Sequence, residues 1–211
     1  MVTASSLPAL PDYAELRCIS NFTFLTGASS PEELVLRAKG LGYSALALTD
    51  ECSLAGIVRA HGAAKETGLT LLVGAQFEVA DDEPFTLTVL VCNLNGYGNL
   101  CEFITRLRRS SEKGHYQLAR ASIQGADLAD CVVLVSPGRT SSTEQLLLLG
   151  HWTLLHFSGR SRLRVAGKWM DVAEHQATGS VIGKVQPVGG DHRFRLLGGI
   201  APRGRAKLKS L

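Results

Sequence analysis

Two adjacent carboxylates and a thiol follow a short apolar run in the first third of the chain. The run Ala45 to Leu48 is succeeded by Asp50, Glu51 and Cys52, after which a second apolar pattern begins. Paired carboxylates can hold a weakly bound magnesium ion, and a thiol before a helix gains acidity from the helix N-terminus. A solvated acidic loop, a helix-capping aspartate and a structural thiol are the commoner uses of these residues, and Cys52 has no clear neighbouring base. The residues alone leave these readings open.

The elements around these residues would place them at the rim of an α/β sheet. Strands are predicted at 13–19, 45–48 and 69–79, and alternation with helices in so short a span predicts parallel βαβ units. Functional groups collect at the carboxyl ends of parallel strands. Arg17 and Ile19 end the first strand, and Gln76 and Glu78 end the third, so we expect them near Asp50 and Glu51.

Local signals support the helices and extend the pattern. Ser30 and Glu33 have the spacing of a capping box, and Gly68 can end the second helix. Later strands are predicted at 85–92 and 131–138, with a helix at 97–109. The basic residues at the end of that helix suit its dipole: Arg106, Arg108 and Arg109.

Composition limits the class of protein. Of 211 residues, 45% are apolar, which is enough for one sizeable core. No apolar run is long enough to cross a bilayer, and no secretory leader is recognisable, which predicts a cytoplasmic protein without membrane contact. The 5 cysteines lack CxxC spacing, which predicts reduced thiols.

Several motifs in order make the chain recognisable. The stretches that carry the resemblance are "SNFTFLTGASSPEELV", "ALALTDECSLAG" and "GYGNLCEFITR". Over about residues 13–160 the chain resembles the N-terminal PHP (polymerase and histidinol phosphatase) domain of bacterial C-family DNA polymerases, and within them the error-prone, translesion branch. The resemblance implies a distorted (β/α)7 barrel with a metal site at the strand ends. We expect an incomplete version of this barrel.

The resemblance also assigns the former metal ligands one position at a time. The His-x-His motif of the first strand falls on Arg17 and Ile19, the Asp-His pair after the second on Asp50 and Glu51, and the glutamate of the third on Gln76. Only Asp50 keeps a ligand type expected at its position, because arginine cannot ligate, isoleucine has no donor atom, and glutamine is a neutral, weaker oxygen ligand. We therefore expect no intact metal site, no catalytic residue and no cofactor in this chain.

The C-terminal part departs from the family pattern. Residues 1–159 carry 11 basic and 16 acidic side chains, whereas residues 160–211 carry 11 and 3. We predict an arm at 1–12, a partial PHP domain at 13–163 and a basic, disordered tail at 164–211 that arises from a frameshift or truncation near 163–165. The rival interpretation is a nucleic-acid-binding tail, and weak non-specific DNA binding is possible either way. The pair Asp191 and His192 does not match the family and is interpreted as chance.

The resemblance implies a function for the parent protein rather than for this chain. The parent would be a nucleotidyltransferase that uses Mg²⁺ for DNA-directed DNA synthesis in replication, lesion bypass and repair, with DNA and polymerase or repair accessory proteins as partners. This chain would be its N-terminal fragment without the polymerase active site. The alternatives are a stand-alone metal-dependent phosphoesterase of the PHP type and a non-catalytic interaction module. The nucleic-acid-binding residues are not identified by sequence.

Overall fold

A computed structural model describes residues 13–138, 141–157, 161–165, 168–171, 184–188 and 193–197. Four helices and nine strands follow one another within these ranges, together with short 3₁₀ turns at Arg120–Ser122 and Gly125–Leu128. They are β1 (Ala14–Cys18), α1 (Pro31–Gly40), β2 (Ala45–Leu48), α2 (Ile57–Thr67), β3 (Thr70–Val79), β4 (Phe85–Val91), α3 (Leu94–Arg109), β5 (Cys131–Pro137), α4 (Thr143–Phe157), β6 (Ser161–Val165), β7 (Lys168–Asp171), β8 (Lys184–Val188) and β9 (Arg193–Leu197).

The predicted helix signals are confirmed. Ser30 Oγ accepts from the Glu33 amide at 3.3 Å, and Glu33 Oε2 accepts from the Ser30 amide at 2.7 Å, so the capping box that begins α1 is complete. Gly68 follows α2 with a φ of 66°, a left-handed conformation that favours glycine. The structure starts α3 at Leu94, three residues before the predicted start, because Asn93 caps it by accepting from the Gly96 amide at 3.0 Å.

Seven strands form one sheet in sequential order, β1 to β7. Helices α1 and α2 connect the parallel pairs β1–β2 and β2–β3, which confirms the predicted βαβ units. The next pairs, β3–β4 and β4–β5, are antiparallel. The segment between β3 and β4 is only residues 80–84, too short for a parallel crossover. Strand β6 returns parallel to β5, and β7 pairs antiparallel with β6.

The sheet is an incomplete barrel. Within the described residues, β1 and β7 are its two edges and no strand pairing joins them. Its outer face packs against the helices in two apolar clusters, one around Val35 and Ala60 on α1 and α2, and one around Phe77 and Phe103 on β3 and α3. The two phenyl rings of the latter meet edge to face with centroids 5.2 Å apart. The opposite face holds what we call the inner cluster: Leu16, Ala45, Ala47, Leu72, Leu90 and Leu134.

The described part of the C-terminal region consists of short strands. Strands β8 and β9 pair antiparallel as a separate two-stranded sheet. The other residues of the tail after β7, the arm at 1–12, and the pair Asp191 and His192 lie outside the described residues. The domain boundary at residue 163 stays a prediction. In the described part of the chain, no helix is long and apolar enough to span a membrane.

Candidate functional site

A bulge in β1 turns Arg17 toward the inner face of the sheet. Glu15 pairs with Leu46 and Cys18 pairs with Leu48, so β1 advances three residues over the distance in which β2 advances two. The extra residue breaks the strict alternation of side chains. Leu16 therefore lies in the inner cluster while Arg17, its neighbour, also reaches the inner side and meets a residue of β3.

Arg17 and Gln76 contact each other directly. The Arg17 Nε donates to Gln76 Oε1 at 2.8 Å across two strands. Gln76 lies three residues before the end of β3, level with Glu51, because its backbone pairs with the segment just after β2. Its amide donates to the Asp50 carbonyl at 3.2 Å, and its carbonyl accepts from the Cys52 amide at 2.9 Å. Two of the former ligand positions are thus joined by one hydrogen bond.

Ile19 lies outside the first strand, although the sequence predicts it to end that strand. Strand β1 ends at Cys18, one residue earlier, and Ile19 begins the loop that leads to α1. Cys18, opposite Leu48, is the last residue of β1 that pairs with β2. The side chain is partly buried and supplies only carbon atoms to its surroundings.

Asp50 is buried beneath the loop between β1 and α1. Its Oδ1 accepts from the Ser20 amide at 2.6 Å and from Thr23 Oγ1 at 2.8 Å, and its Oδ2 accepts from Ser20 Oγ at 2.8 Å. Ser20, Thr23 and Asp50 are all buried. Asp50 is therefore not a helix cap, because α2 begins seven residues later behind Gly56, which makes no side-chain cap bond. Its carboxylate instead fixes the preceding loop.

The loop over Asp50 is compact and presents apolar side chains to solvent. The Gly27 amide donates to the Thr23 carbonyl at 2.9 Å, and a Cβ at Gly27 would lie 1.9 Å from the Ser20 carbonyl oxygen, so only glycine fits there. Phe24 and Leu25 are 83% and 92% exposed. The interior of the loop is held by the bonds from Ser20 and Thr23 to Asp50.

Glu51 follows Asp50 directly in the sequence, but its side chain contacts a different set of residues. Its Oε1 accepts from the Tyr116 hydroxyl at 2.8 Å, and that hydroxyl accepts from the Glu78 amide at 2.7 Å. The Arg108 guanidinium lies over the Tyr116 ring, 5.5 Å from its centroid, and donates to the Cys52 carbonyl at 3.3 Å. Burial raises the pKa of Tyr116 above its usual range, as does its bond to Glu51. Glu51 thus ties the segment after β2 to the segment after α3, where the Tyr116 hydroxyl also contacts β3.

Sequence reasoning missed most of the residues that surround the two carboxylates. The sequence predicts Arg108 only as a cation at a helix end, and in the structure it also donates to the Cys52 carbonyl. Its neighbour Arg106 forms an ion pair with Asp127. Tyr116 lies 65 residues from Glu51, and no local pattern indicates their contact. Ser20 could have been found, because a serine after a strand is a common loop-forming donor.

Cys52 is a buried structural thiol. It is 1% exposed, and its φ of 46° is unusual for a residue with a side chain. Helix α2 starts five residues later, at Ile57, so its N-terminus does not act directly on the thiol. Burial raises the pKa of Cys52 to about 11 and that of Cys18 to about 11. These values oppose a reactive thiolate at neutral pH. All 5 cysteines are reduced thiols, as predicted.

The two raised thiol pKa values predict lower stability in strong alkali. An unfolded thiol ionises at a pKa of about 8.5, whereas folded Cys18 and Cys52 ionise at about 11. Their contribution is therefore complete below about pH 8.5 and is lost as pH rises toward 11. We expect the urea midpoint of the chain to fall across this range, and the fall to be smaller in the double variant Cys18→Ala and Cys52→Ala. An equal fall in both proteins would contradict this assignment.

The donor set does not fit the metal centre that the resemblance implies. Arg17 has no lone pair to give, and the Gln76 amide oxygen accepts from it. The Asp50 carboxylate accepts three hydrogen bonds, and Glu51 Oε1 accepts from Tyr116. Among the described residues there is no group of three or more histidine, cysteine, aspartate or glutamate side chains placed to hold a metal ion. The absence of a retained metal stays a prediction.

Comparisons with known proteins agree with the fold. The family model "PHP domain" matches residues 15–175, which extends beyond the predicted boundary at 163. A solved structure described as that of a metal-dependent phosphoesterase from Bifidobacterium adolescentis superposes with a TM-score of 0.52 at 16% identity, covering 69% of this chain and 75% of that one. At this identity the likeness shows the fold alone.

Curated relatives are much closer in sequence and much longer. The error-prone DNA polymerase of Dechloromonas aromatica is 50% identical over 161 residues, which cover 74% of this chain and 15% of that protein. The error-prone DNA polymerase of Ralstonia pickettii is 51% identical over 172 residues, which cover 76% and 16%. The chain therefore spans about one sixth of the length of these relatives. It belongs to the PHP domain family, and its PHP domain is similar to the N-terminal region of error-prone DNA polymerases.

Proposed function

We propose that this chain is the PHP-domain part of an error-prone C-family DNA polymerase. The parent would carry out DNA-directed DNA synthesis in lesion bypass and DNA repair, would use Mg²⁺, and would work on DNA in the cytoplasm with polymerase or repair accessory proteins. The single observation that carries the proposal is the identity of about one half over three quarters of the chain, matched to about 15% of each relative. The remaining parts of such a protein would supply the polymerase active site.

Within this assignment the PHP domain acts as a structural, non-catalytic module. Support comes from the strand ends, where Arg17 and Gln76 bond to each other and Asp50 holds a loop. These contacts occupy the groups that a hydrolytic metal cluster would need. A phosphoesterase is the second candidate because the fold is shared with a protein described as one, but the donor set argues against it.

The isolated chain is expected not to extend a primed DNA template. Nucleotidyl transfer needs carboxylates that hold two metal ions against the substrate, and the two carboxylates that follow β2, Asp50 and Glu51, are engaged in protein contacts. The assay is primer extension with Mg²⁺ and all four deoxynucleotides, using the full-length Dechloromonas aromatica polymerase as a positive control.

Activity that co-elutes with the chain through several columns, and that persists after host polymerases have been removed, would contradict this part of the proposal. A positive control that also fails would mean that the conditions need changing before the result is read. Extension by the control alone is the expected outcome.

A further inference from the structure

Helix α4 is apolar on almost every side. Its sequence, TEQLLLLGHWTLLHF, contains no lysine or arginine, and Glu144 is its only acidic residue. A helix that is apolar all round is normally buried on all sides. One side of α4 follows this rule: Leu149 and Phe157 are buried, and Trp152 packs against Phe85 of β4 with ring centroids 5.6 Å apart. That side anchors the helix to the sheet.

The opposite side of α4 exposes leucines to solvent. Leu147, Leu148 and Leu155 are 54%, 61% and 69% exposed, and the exposed His151 lies between them. At 3.6 residues per turn these four residues fall within roughly 100° of the helix circumference. Single exposed leucines are normal on a protein surface, whereas several on one helix face form a continuous apolar patch of the kind that marks interaction sites. We call these four residues the leucine face.

The leucine face lacks the charge that nucleic acid or an anionic membrane surface requires. Both of these partners are held by lysine and arginine side chains, and α4 has neither. Glu144, in the first turn of the helix, would repel both. Removal of apolar side chains from water is the main gain that the face offers to a partner. The leucine face therefore fits another apolar protein surface.

The leucine face is complementary to a second copy of itself. Leu148 lies three residues before His151, and Leu155 lies four residues after it. When two copies of α4 lie antiparallel across this face, Leu148 of each copy meets Leu155 of the other, and the two His151 side chains lie near the axis. A two-fold interface requires such a pattern, because the same patch is used by both copies and each contact occurs twice.

The size of the face predicts a weak dimer. Helix α4 has 15 residues, so it is about 22 Å long, and with its side chains it is about 10 Å wide. Two such faces bury less than the roughly 1,200 Å² at which stable protein interfaces begin. Transient pairs lie below that limit, so we expect a dissociation constant of about 0.1 mM rather than nanomolar binding.

We propose that the leucine face of α4 is the contact surface of a homodimer, in which two copies of α4 pack antiparallel about an axis near His151. The partner is a second copy of this chain, and no ligand or metal takes part. The inference does not depend on the proposal that the chain is part of a polymerase, because it concerns only α4.

The test is sedimentation equilibrium of the full chain at concentrations from about 10 µM to about 1 mM, which bracket the expected constant. We expect the average mass to rise from that of the monomer toward twice that value. Leu148→Glu is expected to weaken association at least about tenfold, because the dimer would bury two carboxylates against leucine. The matched control is Leu36→Glu, which changes a leucine of α1 that is 58% exposed and should leave association unchanged.

A pair of charged variants tests the antiparallel arrangement itself. One chain carries Leu148→Lys with Leu155→Lys, and the other carries Leu148→Glu with Leu155→Glu. Each variant alone is expected to stay monomeric, because like charges would meet across the axis. An equimolar mixture should associate, because every lysine then meets a glutamate of the other chain. Both variants should keep the thermal midpoint of the wild-type chain at about 10 µM, where the monomer predominates.

Four results would overturn the proposal. A wild-type chain that stays monomeric at about 1 mM would exclude the dimer. Association that Leu148→Glu leaves intact would place the contact on another surface, such as the edge strands β1 or β7. Failure of the charged variants to associate when mixed would exclude the antiparallel arrangement. A lower thermal midpoint at about 10 µM for Leu148→Glu, but not for Leu36→Glu, would show that the leucine face is already covered within one chain.

Discussion

Replacing Asp50 by alanine is expected to lower the free energy of unfolding by about 3 kcal/mol or more. The carboxylate accepts three hydrogen bonds from Ser20 and Thr23, and a bond to a charged group makes a net contribution of roughly 1.5 to 3 kcal/mol to stability. Its removal also leaves the buried Ser20 amide and two hydroxyls without an acceptor. Urea denaturation followed by circular dichroism measures the change as a shift in midpoint at constant slope.

Glu51→Ala is the matched control for this prediction. Glu51 is the adjacent carboxylate but is only half-buried, and its side chain accepts a hydrogen bond from Tyr116. We expect a loss of about 1 kcal/mol. Asp50→Asn should fall between the two, because the amide oxygen can still accept from the Ser20 amide and Thr23. A loss below about 1 kcal/mol for Asp50→Ala would show that the loop does not depend on this carboxylate.

The second large effect concerns hydrolysis, which we expect to be absent. A working metal-dependent phosphoesterase exceeds the uncatalysed rate by at least about a millionfold. Here the residues at the strand ends bond to each other, so the chain supplied with Mn²⁺ or Zn²⁺ should hydrolyse p-nitrophenyl phosphate no faster than the metal salt alone. A known metal-dependent phosphoesterase in the same buffer serves as the positive control.

Hydrolysis that follows the protein through purification and is abolished by a chelator would contradict this expectation.

Local signals in the sequence were sufficient for much of the fold. The capping box at Ser30 and Glu33, and the left-handed turn at Gly68, are encoded within a few residues and appear as expected. The buried run at β2 also has the apolar character of a strand that is covered on both faces. The antiparallel pairing of β4 with β5 was not predicted, because a helix between two strands usually returns the chain in parallel.

The position of the two adjacent carboxylates in the fold was predictable, but their contacts were not. Asp50 and Glu51 do lie at the end of β2, yet their side chains serve different segments. Arg17 reaches Gln76 only because β1 contains a bulge, and the register of a bulge depends on the partner strand rather than on local sequence. Contacts of this kind, such as Glu51 with Tyr116, become visible only when distant segments are brought together.

Metal content after dialysis tests most directly whether the residues at the former ligand positions bond to other protein groups instead of to a metal ion. The chain is incubated with Zn²⁺ or Mn²⁺, dialysed extensively without chelator, and analysed by mass spectrometry, with Gln76→Ala as a comparison. We predict far less than one equivalent of either metal per chain, with no difference between the two proteins, because Arg17 and Asp50 are engaged as the hydrogen bonds show. Retention of one equivalent or more by the wild-type chain, lost in Gln76→Ala, would contradict the account.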